Sequence, residues 1–281
     1  MSQTVTTPAI KEVVLEPNKA QRQYWIDIWR YRELFYFLAW RDILVRYKQT
    51  AVGVAWAVIR PLLTMLILTV VFGRLAKMDS GGVPYPILVM CGLLPWQFFS
   101  TAMSESGSSL VRNAGMVSKV YFPRLIVPAS SVITSLVDFV ISAAILVCIM
   151  IYYQYVPGWE VVFLPAFVAL AFMAAFGIGV WVSALMVRFR DFRFIIPFVV
   201  QFGLYISPVG FQSGVIPEQW RWVYSLNPMV GVIDGFRWAV LGGEHSIYLP
   251  GLVMSVVLVI VMIYSGIWFF RKTEKTFADI I

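Results

Sequence analysis

Long apolar segments, each near the length of a membrane-spanning helix, constrain this 281-residue chain more than any other feature. A hydrocarbon core about 30 Å thick is crossed by roughly 20 apolar residues in an α-helix, which satisfies its own backbone hydrogen bonds. The sequence therefore predicts an all-α integral membrane protein with six transmembrane helices. The second and fifth are short. The six predicted spans are residues 52–75, 86–101, 125–153, 161–187, 194–211 and 249–270.

Composition excludes several other classes of protein. The chain is 60% hydrophobic and 13% charged, whereas soluble domains carry about 25% charged residues. It has no GxxxxGK[ST] phosphate-binding loop and no GxSxG nucleophile motif. One histidine and two cysteines do not form a metal-binding pattern. We therefore expect no catalytic residue, no metal site and no cofactor in this chain.

The distribution of Lys and Arg predicts the orientation. Seventeen of the 22 basic residues precede the first span, follow the last, or connect spans two to three and four to five. Four lie on the other side, and Arg60 lies within a span. Because basic loops stay in the cytoplasm, both termini are predicted to be cytoplasmic. The net charge of +7 then reflects topology and contact with anionic lipid, and we expect no nucleic-acid partner.

Outside the spans the sequence predicts four further features. Residues 1–24 have a composition typical of disorder, and residues 25–51 that of an amphipathic helix at the cytoplasmic membrane interface. The transmembrane domain comprises residues 52–270 and the cytoplasmic tail residues 271–281. Between the last two spans, pieces 216–226 and 230–241 are too short to cross. They are either short re-entrant helices, in which Asp234 and Arg237 could pair, or part of a folded external loop.

Two charged residues within spans suggest function. Arg60 lies about 12 Å into the first span, at 1.5 Å per residue. It either contacts a phosphate group of a substrate or extends its guanidinium to the lipid headgroups. Asp138 lies in the middle of the third span, where it forms either a polar contact between helices or part of a proton relay.

An aromatic stripe runs along the fifth predicted span. Phe194, Phe198, Phe202 and Tyr205 fall within about 80° of one another on a helix of 3.6 residues per turn. Aromatic faces suit the C–H faces of sugars, so with Trp56 of the first span these residues are candidates for lining a substrate channel. Ordinary packing between helices is the alternative interpretation.

The connection after the second span, residues 110–124, is predicted to be cytoplasmic, and we call it the coupling segment. Val117, Val120 and Tyr121 fall on one face of a short helix. Such an amphipathic helix either docks on a cytoplasmic partner or lies on the headgroups.

Several motifs occur in order along residues 25–281. Together they resemble the permease subunits of type-2 ABC exporters, and most closely the exporters of polysaccharides and polyol phosphates. The motifs are RYKQT at 46–50, GVAW at 53–56, RP at 60–61, GLLPWQFF at 92–99, KVYFPR at 119–124, RDF at 190–192, NPM at 227–229 and FFRKTEKTFAD at 269–279.

The resemblance implies an architecture and a set of partners. It implies a homodimer in the bacterial inner membrane, with a channel between the protomers. Two copies of a separate ATPase subunit would bind ATP and Mg²⁺, and the cargo would be a lipid-linked polysaccharide such as O antigen, capsule or teichoic acid. A secondary transporter or channel is the alternative function. The residues expected to couple to the ATPase are Asn113, Lys119, Tyr121, Phe122 and Arg124.

Overall fold

The computed structural model describes residues 21–48, 51–242 and 247–277, and within these ranges the regular structure is entirely helical. The predicted disorder of residues 1–24 therefore falls mostly outside the described residues, as does the end of the tail. The helices are α1 (Gln21–Arg30), α2 (Arg32–Lys48), α3 (Ala51–Leu68), α4 (Tyr85–Arg112), α5 (Ala114–Val117), α6 (Ile126–Tyr152), α7 (Leu164–Arg188), α8 (Phe192–Ile206), α9 (Glu218–Tyr224), α10 (Pro228–Leu241) and α11 (Leu249–Thr273).

Short non-α turns extend three of the long helices. A π-helical turn, Thr69–Leu75, continues α3, and 3₁₀ turns precede α7 at Trp159–Phe163 and follow α11 at Glu274–Thr276. With these turns included, five helices in the described part of the chain are long and apolar enough to cross a membrane: Ala55–Leu75, Tyr85–Arg112, Ile126–Tyr152, Trp159–Arg188 and Leu249–Thr276. They correspond to five of the six predicted spans.

The remaining span, the fifth predicted, is shorter than the sequence suggests. Helix α8 has 15 residues and is therefore about 22 Å long, less than a bilayer core. It ends at Ile206 because Ser207 precedes Pro208, and a residue before proline is disfavoured in the α conformation. Ser207 accordingly has φ −78° and ψ 152°. The predicted end at residue 211 is therefore wrong, and a turn follows instead.

Helix α4 is longer than predicted and occupies the centre of the bundle, packed against α6 and α7. Its second half is rich in serine, and four of these hydroxyls donate to carbonyls of their own helix, whereas the buried Ser106 hydroxyl has no partner among the described residues. Ser104 Oγ bonds Ser100 O at 2.8 Å, and Ser109 Oγ bonds Ser106 O at 2.6 Å. Small side chains also let α7 approach closely, since a Cβ on Gly179 would lie 2.7 Å from Ser106 Oγ. The polarity of this half therefore supports helix packing and does not end the helix.

The two short pieces before the last span form helices α9 and α10. Helix α10 begins at an N-cap, where the Asn227 side chain accepts a hydrogen bond from Met229 N, and Pro228 occupies the first turn. The helix is largely buried against α4, α7 and α11. The prediction that Asp234 pairs with Arg237 is wrong. The Arg237 guanidinium donates to backbone carbonyls of Leu88, Val209 and Phe211 at 3.3, 2.8 and 2.7 Å.

The N-terminal helical region is two helices, α1 and α2, joined at Tyr31. Leu38 of α2 is buried, whereas Trp29, Phe37 and Trp40 are exposed. The exposed aromatic side chains suit a membrane interface, and the buried side joins these helices to the bundle.

The coupling segment is not one amphipathic helix. Helix α4 continues to Arg112, and α5 then makes a single turn before residues 118–125 lose helical structure. Pro123 disfavours the α conformation at Phe122, the residue before it, and no regular helix includes Val120 or Tyr121.

Candidate functional site

A cavity of about 570 Å³ opens among α2, α3, α4, α6 and α8. Its walls combine aromatic side chains with hydroxyl, amide and charged groups, a mixture suited to a polar organic ligand. The charged groups are Arg46, Arg60, Glu105 and Asp138. The amides and hydroxyls include Gln97, Gln201, Ser104 and Ser142.

Two of the predicted channel residues, Trp56 and Arg60, come together in this cavity. They are four residues apart on α3, so they lie on the same helix face. Trp56 is 52% exposed, and Arg60 is also exposed. Within the described parts of the chain, no acidic side chain lies within ion-pair distance of Arg60. Its guanidinium is therefore available to an anionic ligand.

The aromatic stripe lies beside the cavity and not in its wall. Helix α8 turns Val200, Gln201 and Leu204 towards the cavity. Phe194, Phe198, Phe202 and Tyr205 lie on its outer side, where Phe194 is 76% exposed. The rings of Phe198 and Phe202 are 4.2 Å apart. We call the exposed residues Trp56, Arg60 and the stripe together the open face.

A network of charged side chains lines the cavity near the end of α2. The Arg46 guanidinium bonds Asp138 Oδ2 at 2.5 Å and Glu105 Oε1 at 2.7 Å, and Arg112 bonds Glu105 Oε2 at 2.7 Å. The Tyr47 hydroxyl donates to Asp138 Oδ1. Burial, and then the Asp138 carboxylate, raise the pKa of Tyr47, so this hydroxyl remains a donor at neutral pH. Asp138 is thus a polar contact between α6 and α2.

Sequence reasoning missed this partner of Asp138. A carboxylate within an apolar span is costly unless it is paired, and this cost was the only available signal that a cation lies nearby. Arg46 precedes Asp138 by 92 residues, and it lies in the predicted interfacial helix among several other basic residues. Helical spacing cannot relate two residues on separate elements, so the pair could be found only from the fold.

Four of the five predicted coupling residues divide into a buried pair and an exposed pair. Asn113 and Phe122 are buried, and Phe122 is only 4% exposed. Asn113 Oδ1 accepts from Arg41 at 2.8 Å, and its amide donates to Ser109 O at 2.9 Å. Lys119 and Tyr121, by contrast, lie in an exposed tip, residues 118–121, where Tyr121 is 56% exposed.

The base of the segment packs into an apolar cluster that we call the basal cluster. It brings the coupling segment together with α2, α7 and the end of the chain. Arg124, the fifth coupling residue, bonds Glu274 in the tail. The basal cluster contains Leu38, Leu110, Val117, Phe122, Leu125, Ile126, Val127, Val180, Ala184, Val187, Phe270 and Phe277.

The described ranges contain no group of three His, Cys, Asp or Glu side chains that could hold a metal ion. The chemistry that the cavity offers is instead recognition through the Arg60 cation, aromatic rings and hydrogen bonds.

Comparison with known proteins identifies the family. The model of the ABC-2 type transporter family matches residues 33–241, which include the cavity, the open face and the coupling segment. The chain belongs to the ABC-2 type transporter family. The family predicted from the sequence motifs is thereby confirmed.

Three relatives cover nearly the whole of this ABC-2 type transporter. It is 27% identical to the O-antigen export system permease protein RfbA of Klebsiella pneumoniae, over 86% of this chain and 92% of the relative. The O-antigen export system permease protein RfbA of Myxococcus xanthus is 26% identical over 91% and 98%. The polysialic acid transport protein KpsM of Escherichia coli is 25% identical over 84% and 91%.

Proposed function

We propose that this ABC-2 type transporter is the membrane subunit of an ATP-driven exporter of a lipid-linked polysaccharide. The observation that carries the proposal is the family match. Relatives named for O-antigen export and polysialic acid transport also align with this chain over most of their length. ATP and Mg²⁺ bind to a separate ATPase subunit, present in two copies. The protein resides in the bacterial inner membrane, with six spans and both termini in the cytoplasm.

A homodimer completes the transport path. Helix α8 packs on its own protomer through Ile196 and other residues of one side, and it leaves the aromatic stripe exposed. Large exposed apolar surfaces mark contacts with lipid or with another protein. Two open faces that meet across a dimer axis would enclose a path lined by aromatic rings from both copies, with the two cavities beside it.

The open face has the chemistry that a glycan with a phosphate-containing carrier requires. Arg60 supplies a cation for phosphate oxygens. Trp56 and the stripe supply flat faces against which sugar rings stack without dependence on sequence. Stacking of this kind holds each sugar weakly, so a long polymer can advance past Phe198 and Phe202 without being trapped.

The exposed tip of the coupling segment is the contact with the ATPase. Residues 118–121 project beside the buried anchors Asn113 and Phe122, so a push on Lys119 or Tyr121 reaches the bundle through them. Closure of the ATPase dimer on ATP would move the two tips, and the spans that line the path would part.

The test is reconstitution in liposomes with a candidate ABC ATPase subunit and a lipid-linked glycan. We expect ATP-dependent transfer of the glycan across the bilayer, and none with either subunit alone. Transfer that needs an ion gradient and no ATPase would establish the alternative, a secondary transporter or channel. A tag at either terminus that is accessible only from outside the cell would overturn the orientation.

A further inference from the structure

The tail after the last span contacts the coupling segment directly. Glu274, in the 3₁₀ turn after α11, accepts a hydrogen bond from the backbone N–H of Arg124 on its side-chain Oε1, at 2.9 Å. The Arg124 guanidinium in turn donates to the backbone carbonyl of Glu274. Two hydrogen bonds therefore join the end of the coupling segment to a residue 150 positions later.

Apolar packing supports these hydrogen bonds from below. Phe277 is 1% exposed, and its ring lies 5.3 Å from that of Phe270 at the end of α11. Both rings belong to the basal cluster, which also contains Phe122 and Leu125 on either side of the Pro123–Arg124 turn. The tail thus folds back under the segment.

Helix α1 closes a further side of this contact. The guanidinium carbon of Arg271 lies 4.5 Å from the centre of the Tyr24 ring, in a cation–π contact. Burial, and then the charge of Glu274, raise the pKa of Tyr24, and among the described residues its buried hydroxyl has no hydrogen-bond partner. The contact between Arg271 and Tyr24 therefore joins the end of α11 to the N-terminal helix.

The exposed tip is fixed at both ends as a consequence. Asn113 holds its beginning through Arg41 and Ser109, and Glu274 holds its end through Arg124. Helix α11 packs along α7, where a Cβ on Gly266 would lie 2.7 Å from Gly177 O. A displacement of the tip therefore moves the end of α11 and not the loop alone.

We propose that Glu274 is a positioning residue that ties the exposed tip of the coupling segment to the last span. Through this tie, movement of the ATPase is delivered to α11 as well as to α4. The proposal rests on the proposed function, because it requires an ATPase that contacts the tip. It adds a role for the tail.

Substitutions that either keep or remove the acceptor oxygen of the Glu274 side chain test this role. Glu274→Gln keeps an oxygen that can accept from the Arg124 N–H, whereas Glu274→Ala removes it. In the reconstituted complex, we expect Glu274→Ala to lower the glycan exported per ATP hydrolysed roughly tenfold, the equivalent of one charge-assisted hydrogen bond. Glu274→Gln should stay within about twofold. Lys275→Ala, exposed and adjacent, is the matched control.

Amide hydrogen exchange gives a second readout that needs no ATPase. The Arg124 amide should exchange roughly tenfold faster in Glu274→Ala and at the wild-type rate in Glu274→Gln, because only the first loses the acceptor. If Glu274→Ala does not accumulate in the membrane, Glu274→Asp replaces it. That variant keeps the charge but withdraws the carboxylate by one methylene, and it should also uncouple.

The outcomes distinguish this inference from the function on which it rests. If wild-type protein exports only with ATP and Glu274→Ala couples normally, the positioning role is refuted and the exporter stands. Failure of Glu274→Gln to restore coupling would also refute the role, since the acceptor oxygen would then not be what matters. If the wild-type pair transfers no glycan, the proposed function itself fails.

Discussion

The basal cluster and the open face of the same protomer are built on opposite principles. At the base, Phe122 and Phe277 are buried, and Arg124 is bonded to the tail. On the open face, Phe194 and Trp56 are exposed. Paired polar groups and buried rings keep the base in a single conformation. Exposed rings and an available guanidinium, by contrast, can contact another molecule. The contrast separates a closely packed base from an exposed surface, on which we propose that substrate and a second protomer bind.

The largest expected effect is the loss of stability when a buried ring is removed from the basal cluster. Phe122→Ala should destabilise the protein by about 3 kcal/mol, because it removes a buried ring and leaves a cavity in the basal cluster. The measurement is the thermal unfolding of the protein in detergent. Phe194→Ala on the open face is the control, and it should change stability by no more than about 0.5 kcal/mol. Equal losses in the two variants would mean that the open face is also packed in the monomer.

The next effect concerns the charge network between the two regions. Asp138→Ala should cost about 2 kcal/mol, the usual size of hydrogen bonds to a charged group. It should also speed amide exchange along α2, since Arg46 and Tyr47 lose their partner on α6. Asp138→Asn, which still accepts from Tyr47, should lose about half as much. Unchanged exchange in α2 after Asp138→Ala would show that the network does not hold that helix.

The sequence correctly predicted the helices that can be recognised from the apolar pattern of their own residues. The long apolar runs correctly located α3, α6, α7 and α11, and the short runs located α9 and α10. Spacing also placed the aromatic stripe on one side of α8. The predictions failed where contacts with other helices determine the structure. Most serines of α4 lie after residue 101, where the sequence ends the second span, but α7 packs against this half of the helix. The partner of Asp138 lies on α2, which is remote in sequence.

The coupling segment shows the same limit. Motif resemblance located it, but it could not divide the five coupling residues into exposed and buried ones. Which side chain of the Tyr121–Phe122 pair reaches a partner depends on where the tail and α1 pack. Neither element is near these residues in sequence, so local pattern contains no information about them.

A smaller effect, on transport and not on stability, is expected at Arg60. Arg60→Ala should lower export of a lipid-linked glycan roughly tenfold, by loss of one charge-assisted contact to phosphate, with an unchanged melting temperature. Arg60→Lys should retain part of the activity, because it keeps the charge without the planar fork. Export rates in liposomes provide the measurement. If Arg60→Ala exports normally, the guanidinium serves the headgroups, and the phosphate contact lies elsewhere.

The smallest effect sharpens the description of the open face itself. Phe198→Ala should slow export by roughly twofold to tenfold, because one stacking surface is worth about 0.5–1.5 kcal/mol. Val199→Ala, at a residue that is also exposed on α8 but lies off the stripe, should leave the rate unchanged. Phe198→Tyr preserves the ring and should export at the wild-type rate. A loss with Val199→Ala equal to that with Phe198→Ala would show that this side of α8 packs against the second protomer as a whole, and that the stripe does not guide the sugar chain.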